Sequence, residues 1–333
     1  MKSERLLNYI GQIDDRIIAE ADTQALHMKP VIHTWFRWAT AAAACIVVAV
    51  IAGITFIPSD SPIDSIDELP MLTIGGETGS YSFGFEGLMA YDISELQNGN
   101  PWTEETKLDT LPVYQNTAYP NGESGEYTRT EFENGVQLPD NYSFTYYETT
   151  EQQAKDVMEY LLAEYRSVVD MNSPALDLFG DYNIYGQRGF WFYAYENSGN
   201  LTDRIIGYNF NRVRFSPNDD GALWIIDRYK ADLSQMIGEY PIITAREAKE
   251  LLLQNRYIST VMEVLPGEEY IASVELVYRT DRYVEVFMPY YRFLVELPTM
   301  QVDNGLKTFG AYYVPAVESR YLTDMPLWDG RFN

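Results

Sequence analysis

The chain has 333 residues, 46% of them hydrophobic, and a formal net charge of −25 at pH 7. This length and apolar content suffice for one or two globular domains, so disorder throughout the chain is excluded. The negative charge disfavours nucleic acid and other polyanions as partners and favours cations, basic peptides or neutral molecules, although solubility alone also explains such a charge.

Cysteine and histidine are confined to the first part of the chain. Cys45 is the one cysteine, and His27 and His33 are the two histidines. The rest of the chain therefore cannot form disulfides, thiol or Ser-His-Asp catalytic centres, or histidine zinc sites. We expect no metal, no cofactor and no catalytic residue, so we do not expect an enzyme; a hydrolase built on paired carboxylates stays open.

The first predicted element is an amphipathic helix within residues 1–38, which we expect to be cytoplasmic. Its apolar side chains recur at spacings of three and four, the pattern of one buried helix face. A segment this short cannot bury that face by itself, so we predict that the face binds a protein, with a second copy of the chain or the membrane surface as alternatives. The predicted partner-binding residues are Ile10, Ile13, Asp14, Asp15, Ile17 and Ile18.

Residues 39–57 carry no charged side chain and predict a transmembrane helix. Its length, 57 − 39 + 1 = 19 residues, gives a rise of roughly 28 Å, close to the hydrocarbon thickness of a bilayer. Basic residues stand before this segment and acidic ones follow it, so the positive-inside rule predicts a single-pass cell-membrane protein with a cytoplasmic N-terminus and an extracytoplasmic C-terminal domain. The alternatives are a cleaved secretory signal, lipidation at Cys45 and a buried helix of a soluble protein.

The N-terminal segment resembles a known group of proteins. Ile10-Gly11-Gln12-Ile13-Asp14-Asp15-Arg16-Ile17-Ile18-Ala19-Glu20-Ala21, followed by a Trp-flanked apolar segment, is similar to the N-termini of membrane-anchored anti-sigma-factor-like regulators of clostridia-like bacteria. The resemblance implies that the cytoplasmic part binds a sigma factor. The combined pattern of histidine and paired cysteines that zinc anti-sigma factors carry is absent, so this binding would not need zinc.

The middle of the chain predicts a linker and a cover. Residues 58–80 are rich in Pro, Ser, Asp and Gly and predict a stalk. Residues 81–140 combine many turn residues with short extended pieces, which predicts an irregular, tyrosine-rich, β-rich cover over the core that follows.

Two similar modules are predicted after the cover, at residues 141–235 and 236–333. Each begins with a capping box, at Thr150 and at Thr244, followed by helical spacing of apolar residues. Strand patterns follow each helix. We therefore predict an α+β fold, with one transmembrane helix followed by an exported domain of two helix-plus-antiparallel-sheet modules. The predicted strands lie at 182–185, 190–195, 205–215, 222–229, 270–278, 283–288, 291–297 and 308–314, with 279–282 as a hairpin turn.

The second module carries another resemblance. The segments Tyr240-Pro241-Ile242-Ile243-Thr244-Ala245-Arg246-Glu247-Ala248, Val274-Glu275-Leu276-Val277-Tyr278 and Val286-Phe287-Met288-Pro289-Tyr290-Tyr291-Arg292-Phe293 are similar to the C-terminal domain of YycI-type regulatory proteins, and their arrangement looks PepSY-like. The resemblance implies a non-catalytic exported domain that modulates a membrane kinase or protease.

The turn at 218–221 superficially suggests a calcium loop. Asn218-Asp219-Asp220-Gly221 lacks the alternating ligand spacing of such loops, so we interpret it as a tight turn between two strands.

Together these patterns predict a regulator of bacterial envelope signalling. We expect its N-terminal helix to bind a cytoplasmic partner, such as a sigma factor, and its exported domain to sense or bind an envelope ligand. The alternatives are an accessory protein of a membrane sensor kinase, and an exported wall-glycan-binding module or hydrolase.

Overall fold

The computed structural model describes residues 69–74, 84–119, 125–142, 145, 147, 149–218, 220–280, 284–302 and 304–325. The predicted cytoplasmic helix (1–38) and membrane span (39–57) lie outside these residues. So do the predicted partner-binding residues, which are Ile10, Ile13, Asp14, Asp15, Ile17 and Ile18.

Strands make up most of the regular structure in the described residues. They are β1 (Gly87–Ala90), β2 (Thr110–Gln115), β3 (Glu126–Val136), β4 (Pro174–Phe179), β5 (Trp191–Glu196), β6 (Asn211–Pro217), β7 (Leu223–Lys230), β8 (Met236–Pro241), β9 (Ile258–Ser259), β10 (Ile271–Tyr278), β11 (Val286–Phe287), β12 (Pro289–Glu296) and β13 (Lys307–Pro315). The α-helices are α1 (Glu151–Glu164), α2 (Arg166–Val169), α3 (Leu201–Phe210) and α4 (Ala245–Leu253). Short 3₁₀ turns lie at Ile93–Leu96, Glu268–Tyr270, Pro298–Met300 and Ser319–Tyr321.

The first sheet has the strand order β1-β13-β12-β10, with β9 also paired to β13. Both of its faces are buried, because alternate side chains of β12 enter two different cores. Tyr291 and Phe293 pack with Ala248 and Leu252 of α4. The intervening side chains of β12, Tyr290 and Leu294, belong to the second core. This core also contains Leu72, Leu96, Tyr313 and Leu322.

The described residues form two further sheets. The second sheet is β11-β2-β8, and the third is β3-β7-β6-β5-β4; every paired strand is antiparallel to its neighbour. Helix α1 covers one face of the third sheet. It buries Ala154, Val157, Met158 and Leu161 against a set of sheet residues that includes Phe192, Val213, Phe215 and Ile226.

These observations correct the predicted fold class. The α+β prediction, one transmembrane helix followed by two helix-plus-sheet modules, is wrong, because the described residues form three antiparallel sheets with few helices. Strands β2 and β3, which precede both predicted modules, pair with β8 and β7. Pairing between distant strands therefore organises the fold more than the helices do.

The prediction of a single-pass transmembrane protein is corrected as well. Within the part of the chain that the structure describes, no helix is long and apolar enough to cross a membrane. The segment on which that prediction was based, 39–57, lies outside the described residues.

Both predicted capping boxes are confirmed. The Thr150 side chain accepts a hydrogen bond from the Gln153 backbone N–H at the start of α1, and the Gln153 side-chain oxygen accepts one from the Thr150 backbone N–H. Thr244 and Glu247 make the same exchange at the start of α4. Each exchange satisfies backbone donors that have no partner within the helix, which fixes where the helix begins.

Three strand predictions are wrong. Residues 205–215 were predicted as one strand, but Leu201–Phe210 is α3 and only the following residues form β6. The strands on either side of 279–282 do not pair with each other as the predicted hairpin requires, because β10 pairs with β12 while β11 pairs with β2. Residues 182–185 contain one isolated bridge, Tyr182 to Arg188, rather than a strand.

Candidate functional site

A cavity of about 350 Å³ lies where the end of α3 and the start of β6 meet the first sheet. Its volume is at the lower end of the range of small-molecule sites. Its walls are mainly polar and aromatic, and the side chains that matter for its chemistry are Glu86, Tyr208, Arg212, Arg279, Arg292 and Tyr313.

Helix α3 is anchored against β10 by Asn209. The Asn209 Nδ2 atom donates to the Ile205 carbonyl oxygen at 2.8 Å, and its Oδ1 atom accepts from the Tyr278 backbone N–H at 2.9 Å. Both contacts are buried: the first holds the side chain against its own helix, and the second ties the end of the helix to β10. Tyr208, the residue before Asn209, and Arg212, three residues after it, are thereby held in the cavity wall.

Arg292 lies in a strand that is otherwise almost entirely buried. Its Nη2 atom is 2.7 Å from Oε2 of Glu275, which is its direct cross-strand neighbour, and its Nη1 atom is 3.6 Å from Oε1 of Glu86. Burial opposes the charge of Arg292, but the carboxylates of Glu275 and Glu86 outweigh it and hold the pKa of Arg292 well above its ordinary value. Arg292 is therefore a fixed cation in the cavity wall.

Tyr313 connects this ion pair to the other side of the cavity. Its hydroxyl donates to Glu86 Oε2 at 2.6 Å, while the guanidinium of Arg279 lies 5.6 Å from its ring centroid. Burial raises the pKa of Tyr313, and the charge of Glu86 raises it further, so the phenol stays neutral. One tyrosine thus has a carboxylate at its hydroxyl and a guanidinium over its ring.

Arg212 is held from several directions. It forms an ion pair with Asp177, whose side chain is only 2% exposed, and its Nη1 atom donates to the Tyr208 carbonyl oxygen at 3.1 Å. Its guanidinium also lies 4.8 Å from the ring centroids of both Tyr193 and Tyr208, within cation–π range. This arginine has little conformational freedom to lose when a ligand binds.

Most of the charged groups of the cavity are paired with other protein groups. Arg212 pairs with the buried Asp177 and Arg292 with the partly buried Glu275, while Glu86 accepts a hydrogen bond from Tyr313 and lies beside Arg292. In the described part of the chain, no group of three or more His, Cys, Asp or Glu side chains is placed to hold a metal ion. What the cavity offers is a set of prepositioned charges and hydrogen-bonding groups.

No family model matches the chain, and no curated protein matches it. The resemblances to anti-sigma-factor-like and YycI-type regulators therefore stay predictions.

The cavity residues were not predicted as a site. Arg292 and Glu275 each interrupt an apolar strand pattern, and this is the signal that sequence reasoning missed. A charge within such a strand is expected to be paired or functional, because leaving it buried and unpaired is costly. Both residues lie in the segments that resemble YycI-type proteins, but that resemblance did not mark them as a site.

A second group of charges lies on the third sheet. Asp227 accepts hydrogen bonds from Tyr127 Oη at 2.6 Å, Arg129 Nε at 2.8 Å and Arg214 Nη2 at 2.5 Å. Burial opposes its charge, but these donors outweigh burial and lower the pKa of Asp227 to about 2. Arg129 and Arg214 are its direct neighbours on the two flanking strands, so this group is explained by sheet stability.

The turn at 218–221 agrees with its interpretation as a tight turn. Asn218 Oδ1 accepts from the backbone N–H groups of Asp220 and Ala222, and the Gly221 N–H donates to the Asn218 carbonyl oxygen. The Asn218 side chain is therefore engaged in local backbone bonds between β6 and β7.

Proposed function

We propose that the chain is a regulatory binding protein of bacterial envelope signalling rather than an enzyme. In this proposal the β-rich part binds a small polar ligand in the cavity between α3, β6 and the first sheet. The N-terminal segment binds a signalling protein, and occupation of the cavity alters that interaction.

The observation that carries the proposal is that two arginines of the cavity are already held in place by other side chains of the protein. Arg212 is held by Asp177 and two tyrosine rings, and Arg292 is held by Glu275 and Glu86. A site whose polar groups already occupy their binding positions loses little entropy when a ligand arrives. Such groups also cost stability when they are buried, which a binding function justifies.

The absence of histidine and cysteine after residue 45 supports binding over catalysis. The residues that most often serve as nucleophile or general base near neutral pH are therefore not available to this cavity. Its carboxylates already form ion pairs or accept a tyrosine hydrogen bond.

The partner-binding part of the proposal rests on the sequence of residues 10–18. Ile10, Ile13, Ile17 and Ile18 would bury in a groove of the partner, while Asp14 and Asp15 would meet basic residues beside that groove. A sigma factor is the partner we propose, because its nucleic-acid-binding surface is basic. Retention of a sensor kinase instead would identify the accessory-protein alternative.

The ligand part is tested on the full-length chain purified from its own host. The protein is denatured, and the released small molecules are identified by mass spectrometry. We expect wild type to release a defined small molecule in near-stoichiometric amount and Arg279→Gln to release less than about a tenth of it. Arg256→Gln, which changes an exposed arginine away from the cavity, is the control. Equal release by all three proteins would rule out the cavity as the binding site, and so would a wild type that releases nothing.

The regulatory part is tested in cells. Ile13→Asp combined with Ile17→Asp should abolish retention of the partner in a pull-down and raise transcription of the genes that the partner controls. Deletion of the whole gene should change the same transcripts. Unchanged retention would reject this helix face, and an unchanged transcript profile in the deletion strain would reject regulation. Fractionation of the same cells tests whether the chain resides at the envelope.

A further inference from the structure

Strand β3 forms one edge of the third sheet. Its inner side pairs with β7, and in the part of the chain that the structure describes no strand lies along its outer side. Most of its side chains are exposed, and its sequence contains no proline. The backbone N–H and C=O groups along such an edge can pair with a strand of another chain. The outer side of β3 is therefore a surface suited to protein association.

Charges of both signs lie on one face of this edge. Successive side chains of a strand point to opposite faces of the sheet. Tyr127 and Arg129 share a face, because both donate hydrogen bonds to Asp227. Glu131 lies on the same face, with its Oε1 atom 3.8 Å from Nη1 of Arg129, and the two side chains are 63% and 42% exposed. Phe132 packs instead with the core beneath α1.

Symmetry limits how two copies of β3 can pair. A continuous antiparallel sheet formed by two identical strands has its two-fold axis perpendicular to the sheet. That axis keeps every side chain on its own face, so a residue can lie opposite only a residue of the same face. The axis must therefore lie beside one residue, which faces its own copy. Each choice of that residue defines one register of the pairing.

Only one of these registers pairs opposite charges without opposing like ones. An axis at Thr130 places Arg129 of each copy opposite Glu131 of the other copy, so the pair occurs twice. Moving the axis by one residue in either direction places Arg129 or Glu131 opposite its own copy. Axes further along β3 form no pair of opposite charges within the strand. Opposite charges across a strand pair stabilise it and like charges destabilise it, so the sequence of β3 favours the Thr130 register.

We propose that two copies of this chain associate through β3, antiparallel about a two-fold axis at Thr130. The two five-stranded sheets then become one continuous sheet. Thr128 lies opposite Phe132 of the other copy, on the face that α1 covers. Charged side chains on an edge strand generally prevent association with other strands. In β3 their order makes the edge complementary to itself in a single register.

The first test measures the oligomeric state of the purified full-length chain by sedimentation velocity. The measurement covers about 1 to 100 μM protein at about 0.15 M salt, where repulsion between two chains of net charge −25 is screened within about 8 Å. We expect a monomer–dimer equilibrium that Glu131→Arg weakens at least about tenfold, because two positive charges then face each other. Glu159→Arg makes the same charge change at an exposed position on α1 and should leave the equilibrium unchanged.

A mixing experiment tests which charges face each other. Glu131→Arg and Arg129→Glu should each dimerise poorly alone, but an equimolar mixture should form heterodimers, because every opposed pair again has opposite signs. Thermal melts check that both variants fold, since Arg129 also bonds to Asp227. A folded mixture that stays monomeric would reject the proposed register.

Cross-linking tests the position of the axis without changing any charge. In a chain with Cys45→Ser, which removes the native cysteine, Thr130→Cys should form a disulfide-linked dimer under mild oxidation. The residue on the axis faces its own copy at a Cα separation that a disulfide can span. Thr128→Cys in the same background is the matched control, and it should cross-link at least about tenfold more slowly because it faces Phe132.

The remaining outcomes are decisive in the other direction. A chain that stays monomeric over the whole concentration range would overturn the proposal, and so would a dimer that Glu131→Arg leaves unchanged. Protection of β3 amides from hydrogen exchange only in complex with a different protein would assign this edge to that protein instead. No residue of β3 lines the described cavity, so the ligand-binding proposal stands or fails separately.

Discussion

At the scale of single residues, Asp227 shows how one acid links three strands. It lies between Arg129 of β3 and Arg214 of β6, directly opposite both, and Tyr127 also donates to it. Its side chain is only 8% exposed, whereas the two arginines remain 42% and 35% exposed. The aspartate is therefore much less exposed to solvent than either of its arginine partners.

Stability should depend on pH through Asp227. Its pKa falls from an ordinary 3.8 to about 2 on folding, which corresponds to roughly 2 kcal/mol of unfolding free energy at about 1.4 kcal/mol per pH unit. Because the folded-state pKa is lowered, this contribution is complete above about pH 5 and declines as the pH falls through 4 towards 2. Asp227→Asn should therefore lose about 2 kcal/mol at pH 7 in urea denaturation, and about half of that at pH 3.

The control for this prediction is Asp140→Asn, which changes an exposed aspartate. Its unfolding free energy should stay within about 0.5 kcal/mol of wild type at both pH values. A loss in Asp227→Asn that is the same at pH 7 and pH 3 would show that the ionised carboxylate is not what stabilises the sheet.

At the scale of elements, the sequence predicted helices with strong start signals and missed the helix that builds the site. Thr150 and Thr244 mark α1 and α4 correctly. The segment of α3 was predicted as a strand because its isoleucines and aromatic residues have high strand propensity. Its start carries the same kind of signal, since Asn200 and Asp203 form a capping box, and tertiary packing against β10 then outweighs propensity.

The cavity itself was beyond the reach of sequence patterns. Its walls come from α3, β6, β10, β12 and β13, which hydrogen-bond patterns bring together across more than a hundred residues. Local periodicity predicted most of these strands but gave no information on which strand pairs with which. The wrong hairpin at 279–282 is the clearest case: the local turn signal was outweighed by pairing of β11 with the distant β2.

Gly207 determines how closely α3 approaches β5. A Cβ atom at this position would lie 1.9 Å from the Glu196 carbonyl oxygen, so only glycine fits the observed distance. Helix propensity alone predicts that Gly207→Ala stabilises the protein by about 1 kcal/mol. The backbone contact predicts the opposite, a loss of about 1–3 kcal/mol in chemical denaturation, because the helix must move away from the strand.

The same variant should also affect the cavity. Since Tyr208 and Asn209 follow Gly207 directly and line the cavity, displacement of α3 should reduce release of the bound small molecule relative to wild type. Mass spectrometry of the denatured protein measures this. Increased stability with unchanged ligand release would mean that α3 has room to approach β5 differently.

At the scale of the whole molecule, burial is distributed unevenly between the sheets. Strand β12 has a hydrogen-bonded neighbour on each side and buried side chains on both faces. Strand β3 pairs with β7 and is largely exposed along its length. Resistance to local opening should follow this difference, because opening β12 would expose two cores at once.

Hydrogen exchange followed by mass spectrometry tests this difference. We expect peptides from Pro289–Glu296 to exchange at least about tenfold more slowly than peptides from Glu126–Val136 at neutral pH. In mild denaturant, exchange in β12 should occur only with global unfolding, while β3 should still exchange by local opening. Equal rates in the two strands would show that the sheets open as one unit.

The pairing of β1 with β13 joins Gly87 to Gly310, two positions separated by most of the described chain. During synthesis, β1 has no partner in the first sheet until the ribosome has released β13, and until then one edge of β12 also stays unpaired. A nascent chain stalled before β13 should therefore depend on chaperones and be sensitive to proteases. Because β13 pairs with both β1 and β12, the first sheet can be completed only after β13 has been synthesised.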